Sequence, residues 1–104
     1  MPVFDPIIHQ AVRLQIMAAL TALPEDAQIE FVTLRKRLSL SDGNLSVHLR
    51  KLEDAGYVRV EKAFVGRKPR TYVAATPQGR KAFDEHVQAL QAIIQRPSDS
   101  DPQD

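Results

Sequence analysis

Apolar residues recur at helical spacing in four stretches of the chain and alternate with polar ones in two more, and this change of period sets out the elements. Residues 5–23, DPIIHQAVRLQIMAALTAL, carry Ile7, Ile8, Ala11, Val12, Leu14, Ile16, Met17, Leu20 and Leu23. The spacing predicts one helix, with Asp5 as cap, Pro6 at the first helical position and Pro24 beyond its end. It is apolar on more than one side, so it is expected to pack on its own core and on something further. Ile29, Glu30 and Phe31 alternate as in a very short strand. A two-turn helix through Leu34 and Leu38 follows.

The next run, Ser41 to Tyr57, has both ends written into it. Ser41 can accept a first-turn amide, and Asp42 suits the positive end of the helix dipole. Gly56 can close the helix in the left-handed conformation while Tyr57 packs back on Leu52. Leu45, Leu49 and Leu52 make one apolar stripe that faces a core. The other side carries Gly43, Asn44, Ser46, Val47, Arg50 and Lys51, short at its beginning and basic further on. An α-helix fits the DNA major groove; short side chains let its first turns approach base edges, and Arg can pair bidentately with guanine. Two helices joined by a three- or four-residue turn, the second with a basic outer face, form a helix-turn-helix.

Beyond Gly56 the period drops to two: Tyr57, Val58, Val60, Phe64 and Val65, then Thr71 to Ala74. The expected hairpin has a cationic tip of Arg67, Lys68 and Arg70, turned by Gly66 and stiffened by Pro69. Thr76-Pro77 opens a last helix, along which Phe83, Val87, Leu90 and Ile94 form a heptad-like seam. That helix of about five turns is too long for so small a body to cover, so the seam is expected to meet a second copy of the chain. The polar tail at residues 96–104 is expected to be disordered. Residues 1–95 then form one domain.

With 104 residues and 43% hydrophobic content, one modest core is what the chain can build. There is no cysteine, which excludes disulfides and thiolate metal sites. Neither a leader pattern nor a membrane-length apolar run is present, so no membrane association and a cytoplasmic location are expected. Net charge is +1, but residues 35–70 hold ten Lys/Arg against four Asp/Glu. The cationic third coincides with the second helix of the pair and with the hairpin, as expected of a surface that meets phosphates.

The runs DGNLSVHLRKLEDAGYV (42–58), GRKPRT (66–71) and TPQGRKAF (76–83) resemble small winged helix-turn-helix transcriptional regulators of the MarR and ArsR type. The likeness covers residues 4–95. It implies a mainly α fold with a small β-hairpin, in the order α-β-α-α-β-β-α, and a homodimer on a pseudo-palindromic double-stranded operator, joined through the first helix, with Ile7 and Ile8, and the last, with Phe83, Val87, Leu90 and Ile94. The helix from Ser41 would lie in the major groove with Asn44, Ser46, Val47 and Arg50 toward bases. Arg67, Lys68 and Arg70 would reach backbone or minor groove. Metal-sensing ArsR proteins place ligands on the terminal helix, where Asp84 and His86 match half of such a site. Nothing near Arg96 supplies the other half, so no metal is expected.

His9, His48 and His86 stand on three predicted helices, and His48 is expected to be a buried or semi-buried core residue with a hydrogen-bond partner. No nucleophile elbow or phosphate-cradling glycine run accompanies them, so neither catalysis nor a cofactor is expected. A small effector could sit between the terminal helices and the core, though no polar cluster points to one. The competing reading is a winged-helix module that binds protein instead of DNA. The basic middle third speaks against it.

Overall fold

Four helices and three strands follow in the expected order in the computed structural model, which describes residues 4–95. They are α1 (Ala11–Thr21), β1 (Ile29–Glu30), α2 (Phe31–Leu38), α3 (Asp42–Asp54), β2 (Val58–Val65), β3 (Lys68–Ala75) and α4 (Pro77–Ile94). The sheet is antiparallel in the order β1-β3-β2, with Ile29 opposite Val73 and Val60 also opposite Val73 on the other side. The tail expected at residues 96–104 lies outside the described residues.

The long first helix expected over residues 5–23 is a turn followed by a shorter helix. Asp5 does cap, but it caps a turn of its own: Oδ1 accepts the amides of Ile7 at 2.8 Å and Ile8 at 3.2 Å. The backbone then becomes extended at Gln10, whose side chain accepts the Arg13 amide at 2.9 Å and starts α1 afresh. Ile8, expected to face a partner, is fully buried in this chain's own core, so that part of the expected interface is corrected.

The first three helices give their apolar stripes to one cluster: Ile16, Met17 and Leu20 from α1, Leu34 from α2, and Leu45, Leu49 and Leu52 from α3. Ile29, Val58 and Val73 close it from the sheet. Each such side chain, taken fully out of water, stabilises the fold by about 1.5–3 kcal/mol before entropy is subtracted. The α1 terminus is held from a distance by Arg80 of α4. Its Nη1 donates to the Thr21 carbonyl at 3.3 Å, and its Nη2 to Leu23 at 3.0 Å and Pro24 at 3.1 Å. A guanidinium there satisfies carbonyls left open at a helix end and complements the negative end of the dipole.

Thr76 caps α4 by accepting the Gly79 amide at 2.9 Å, with Pro77 at the first helical position as expected. The Thr76 amide donates to the Tyr57 carbonyl at 3.0 Å, and its hydroxyl to the Gly56 carbonyl at 2.6 Å. Gly79 lies so close to the same backbone that a Cβ would stand 2.0 Å from the Tyr57 oxygen. The end of α3 and the start of α4 therefore meet backbone to backbone.

Candidate nucleic-acid interface

The turn between α2 and α3 is three residues long, Ser39 to Ser41, and its geometry is set by hydrogen bonds that end one helix and begin the next. Ser39 takes the left-handed conformation, φ 57°. Its amide donates to the Lys36 carbonyl at 3.2 Å and that of Leu40 to Arg35 at 3.0 Å, a complete Schellman closure. Phe31 starts α2 directly after β1, and Glu30 caps by backbone alone. Ser41 accepts the Asn44 amide at 3.1 Å, so its hydroxyl is engaged in capping. Asp42 pairs with Arg35 Nε at 2.8 Å and joins the two helices, an ion pair whose N–H is not aligned on the carboxylate.

At its other end α3 closes as its sequence predicts. The Gly56 amide, at φ +83°, bonds to Glu53 at 2.9 Å and Tyr57 bonds to Leu52 at 2.9 Å. Between these ends Leu45, Leu49 and Leu52 point into the core, while Gly43, Asn44, Ser46, Val47, Arg50 and Lys51 are exposed. Nothing stands within 4 Å of a Cβ built on Gly43.

The hairpin differs from expectation at its tip. The turn is Gly66-Arg67 alone, with Gly66 at φ +66° as a type II′ turn asks of its first central residue. β3 begins at Lys68, and Pro69 lies where β3 has β2 on one side only, an edge that tolerates a residue without an N–H. Arg67 and Lys68 are exposed, but Arg70 is drawn inward by Glu30 of β1, Nη1 to Oε2 at 2.7 Å. Arg70 is thus a brace at the base of the wing, where the expectation had a tip residue.

A groove of about 400 Å³ runs between α3 and the hairpin, lined by Ser46, Arg50 and Glu53 on one side and by Val60, Lys62 and Thr71 on the other. The exposed face of α3 and one face of the wing therefore share one surface. Lys62 belongs to it and was missed in the sequence; the signal was its two-residue step from Val60 in a period-two strand. Among the described residues no carboxylate lies within ion-pair distance of Arg50, Lys51, Lys62, Arg67 or Lys68.

The histidines separate into two environments. His48 is half-buried, and its Nδ1 has no hydrogen-bond partner among the described residues, contrary to expectation. Burial and then the charge of Arg13 lower its pKa. His9 and His86, far apart in sequence, meet at 3.4 Å between His9 Nδ1 and His86 Nε2. Phe4 stacks on His9 with ring centres 4.7 Å apart. His86 is fully buried, and its Nδ1 accepts the Asp5 amide at 3.0 Å. Asp84, its companion in the half metal motif, instead accepts from Gln88 at 3.1 Å. No group of three or more His, Asp or Glu is gathered for a metal among the described residues.

On α4 the expected seam divides. Phe83 packs on the chain's own core, Val87 and Leu90 are half-buried, and Ile94 is 76% exposed, with Ile93 beside it at 58%. Ile7 is half-buried. The residues that α4 buries are Gly79, His86 and Ala89. No helix among the described residues is long and apolar enough to cross a membrane.

A family model described as a winged helix DNA-binding domain matches residues 12–94. An uncharacterised protein of Methanocaldococcus jannaschii is 37% identical over 81 residues, 78% of this chain and 85% of that one. The chain is also similar to a transcriptional regulator homologue from Pyrococcus horikoshii OT3, with TM-score 0.77 and 35% identity over 85% of this chain and 84% of the other. A PadR family transcriptional regulator from Eggerthella lenta shares the fold, with TM-score 0.65 and 22% identity over 86% and 83%.

Proposed function

We propose that this chain, which belongs to the winged helix DNA-binding domain family, is a DNA-binding transcriptional regulator that acts as a homodimer on a pseudo-palindromic operator. The observation that carries this reading is the shared surface of α3 and the wing. Short side chains at Gly43, Asn44 and Ser46 leave room for base edges, and Val47 offers an apolar contact suited to a thymine methyl. Arg50 follows one turn after Ser46, at the edge of the groove, where a fork of N–H donors can take a guanine. Lys51, Arg67 and Lys68 serve the phosphates, which set affinity and its salt dependence but carry no sequence information.

Two copies are joined, in this reading, through α4. Val87, Leu90, Ile93 and Ile94 leave apolar surface that the chain's own core does not cover, with Ile7 beside the terminal elements. A two-fold pair places its α3 helices in successive major grooves, so half-sites are expected ~10 bp apart, centre to centre. A small effector has no site assigned to it by this arrangement.

Selection of genomic fragments on the purified protein, followed by sequencing, tests the proposal. Enrichment of an inverted repeat with that spacing, bound at two chains per site, is the expected result. Failure to retain any duplex at low salt would favour the protein-interaction module instead.

A further inference from the structure

The face of the wing turned toward α3 ends in apolar residues, not cations. Val60 stands opposite the fully buried Val73, so this pair marks the face that packs on the core. Side chains two and four residues on from Val60 share that face: Lys62 opposite Thr71, then Phe64 opposite Pro69. Lys62 and Thr71 line the groove with Arg50. Phe64 and Pro69 continue it outward, past the point where the body of the protein gives cover. Lys68 pairs with Val65, and Arg70 with Ala63, on the opposite face.

Phe64 is 76% exposed, a ring held in water at the outer end of a hairpin with no contact in the core cluster. Lys62 shares its face and Arg67 stands at the turn just beyond, with Lys68 across the strand pair on the other face, so the end of the wing matches a polyanion with an apolar strip between its charges. The minor-groove wall of duplex DNA is such a surface: deoxyribose carbons bordered on both sides by phosphates. We infer that Phe64, backed by Pro69, packs against deoxyribose in the minor groove beside each half-site, while Arg67 and Lys68 engage the flanking phosphates. The inference rests on the DNA-binding reading above and assigns the wing an apolar anchor in place of the cationic tip alone.

The contact has a signature that a phosphate contact lacks. An apolar side chain releases no counterion, so removing it lowers affinity without changing how affinity depends on salt. Phe64→Ala is expected to weaken operator binding by roughly tenfold or more, with the slope of log affinity against log salt unchanged. Lys68→Ala is expected to flatten that slope by about one unit. Phe64→Leu, which keeps an apolar side chain, should recover most of the affinity. Hydroxyl radicals cut from the minor-groove side, so Phe64→Ala should also lose protection of the sugars flanking each half-site while protection of guanine N7 in the major groove stays.

Titration of wild type and the three variants against the selected operator at several salt concentrations, with sedimentation of each protein alone, decides the matter. Binding by Phe64→Ala equal to wild type overturns the inference while leaving the DNA reading in place. So does a Phe64→Ala variant that self-associates more weakly than wild type, which would put the ring against a second copy. Absence of duplex binding by the wild type overturns both.

Discussion

Tyr57, one residue past the glycine that closes α3, donates its phenolic O–H to the carboxylate of Asp5, 52 positions earlier in the chain. Asp5 Oδ2 receives this bond while Oδ1 caps the turn at Ile7 and Ile8, so one carboxylate ties the N-terminal segment to the end of α3. The bond to Asp5, then burial and nearby carboxylates, push the Tyr57 pKa up to about 12. Because the unfolded phenol ionises near 10, the stability that this bond contributes is complete below pH ~10 and is lost as pH rises toward 12. Tyr57→Phe should cost about 1–2 kcal/mol at neutral pH, measured by urea unfolding, and should flatten the alkaline limb. A full-size loss in a background already lacking the Asp5 carboxylate would show that the phenol's worth lies elsewhere.

The glycines Gly79 and Gly43 should respond in opposite senses to the same substitution. At Gly79 the added methyl meets the Tyr57 carbonyl oxygen at 2.0 Å, with the carbonyl carbon and Cα at 2.8 and 2.9 Å, all backbone atoms. Gly79→Ala is expected to destabilise by about 3 kcal/mol, since neither α4 nor the end of α3 can give way alone. At Gly43 the methyl meets nothing within 4 Å, so Gly43→Ala should raise stability by up to ~1 kcal/mol through helix propensity. Thermal melting of both variants checks the pair. Operator binding by Gly43→Ala then shows whether the first turn of α3 has a methyl's room against the bases.

Acid should loosen the N-terminal segment. His86 Nδ1 accepts the Asp5 amide and is therefore unprotonated, which leaves the neutral ring's proton on Nε2, toward His9 Nδ1. Burial first, then His9, lower the His86 pKa from its ordinary 6.5, with Asp5 opposing them. The unfolded imidazole takes its proton first, so this contribution to stability is complete above about pH 6.5 and falls away as pH drops below it. His48, also lowered, adds in the same direction. Melting temperature should decline from pH 7.5 to 5.5, and His86→Gln should shrink the decline; an unchanged acid limb in that variant would assign the effect to other groups.

Arg50 and Arg70 should prove different in kind although both lie in the cationic third. Arg50→Ala is expected to cost ~1–3 kcal/mol on the preferred operator and to relax base preference at one position. Arg70 is occupied by Glu30, so Arg70→Ala should leave the salt slope nearly as it is and act by loosening the wing. Competition against random duplex separates the two: equal losses for Arg50→Ala on specific and random DNA would count against base readout by that residue.

Local signals made α3 legible. In ending the helix, Ser41, Asp42, Gly56 and the Tyr57 amide each act within a few residues of their own position, and the leucine stripe needs no knowledge of the partner surface. The break before α1 could not be read, because Asp5-Pro6 followed by apolar residues is as good an opening for a long helix as for a single turn. What breaks it lies elsewhere: His86 and Tyr57 hold Asp5 from distances of 81 and 52 residues. The burial of Ile8 in this chain's own core is illegible for the same reason, since an apolar stripe does not say which core receives it. Arg70 and Arg80 look like free surface cations until β1 and the end of α1 are placed beside them. At the wing, period two already put Phe64 with Lys62 on one side, but residue type drew attention to the basic tip.

The backbone junction at Gly56, Tyr57, Thr76 and Gly79 leaves no compliant layer between α3 and α4. Side chains yield to stress by changing rotamer, whereas peptide groups locked to one another move as a body. A rotation of α4 at its first turn is therefore expected to carry the end of α3 with it, in the manner of a crank keyed to its shaft.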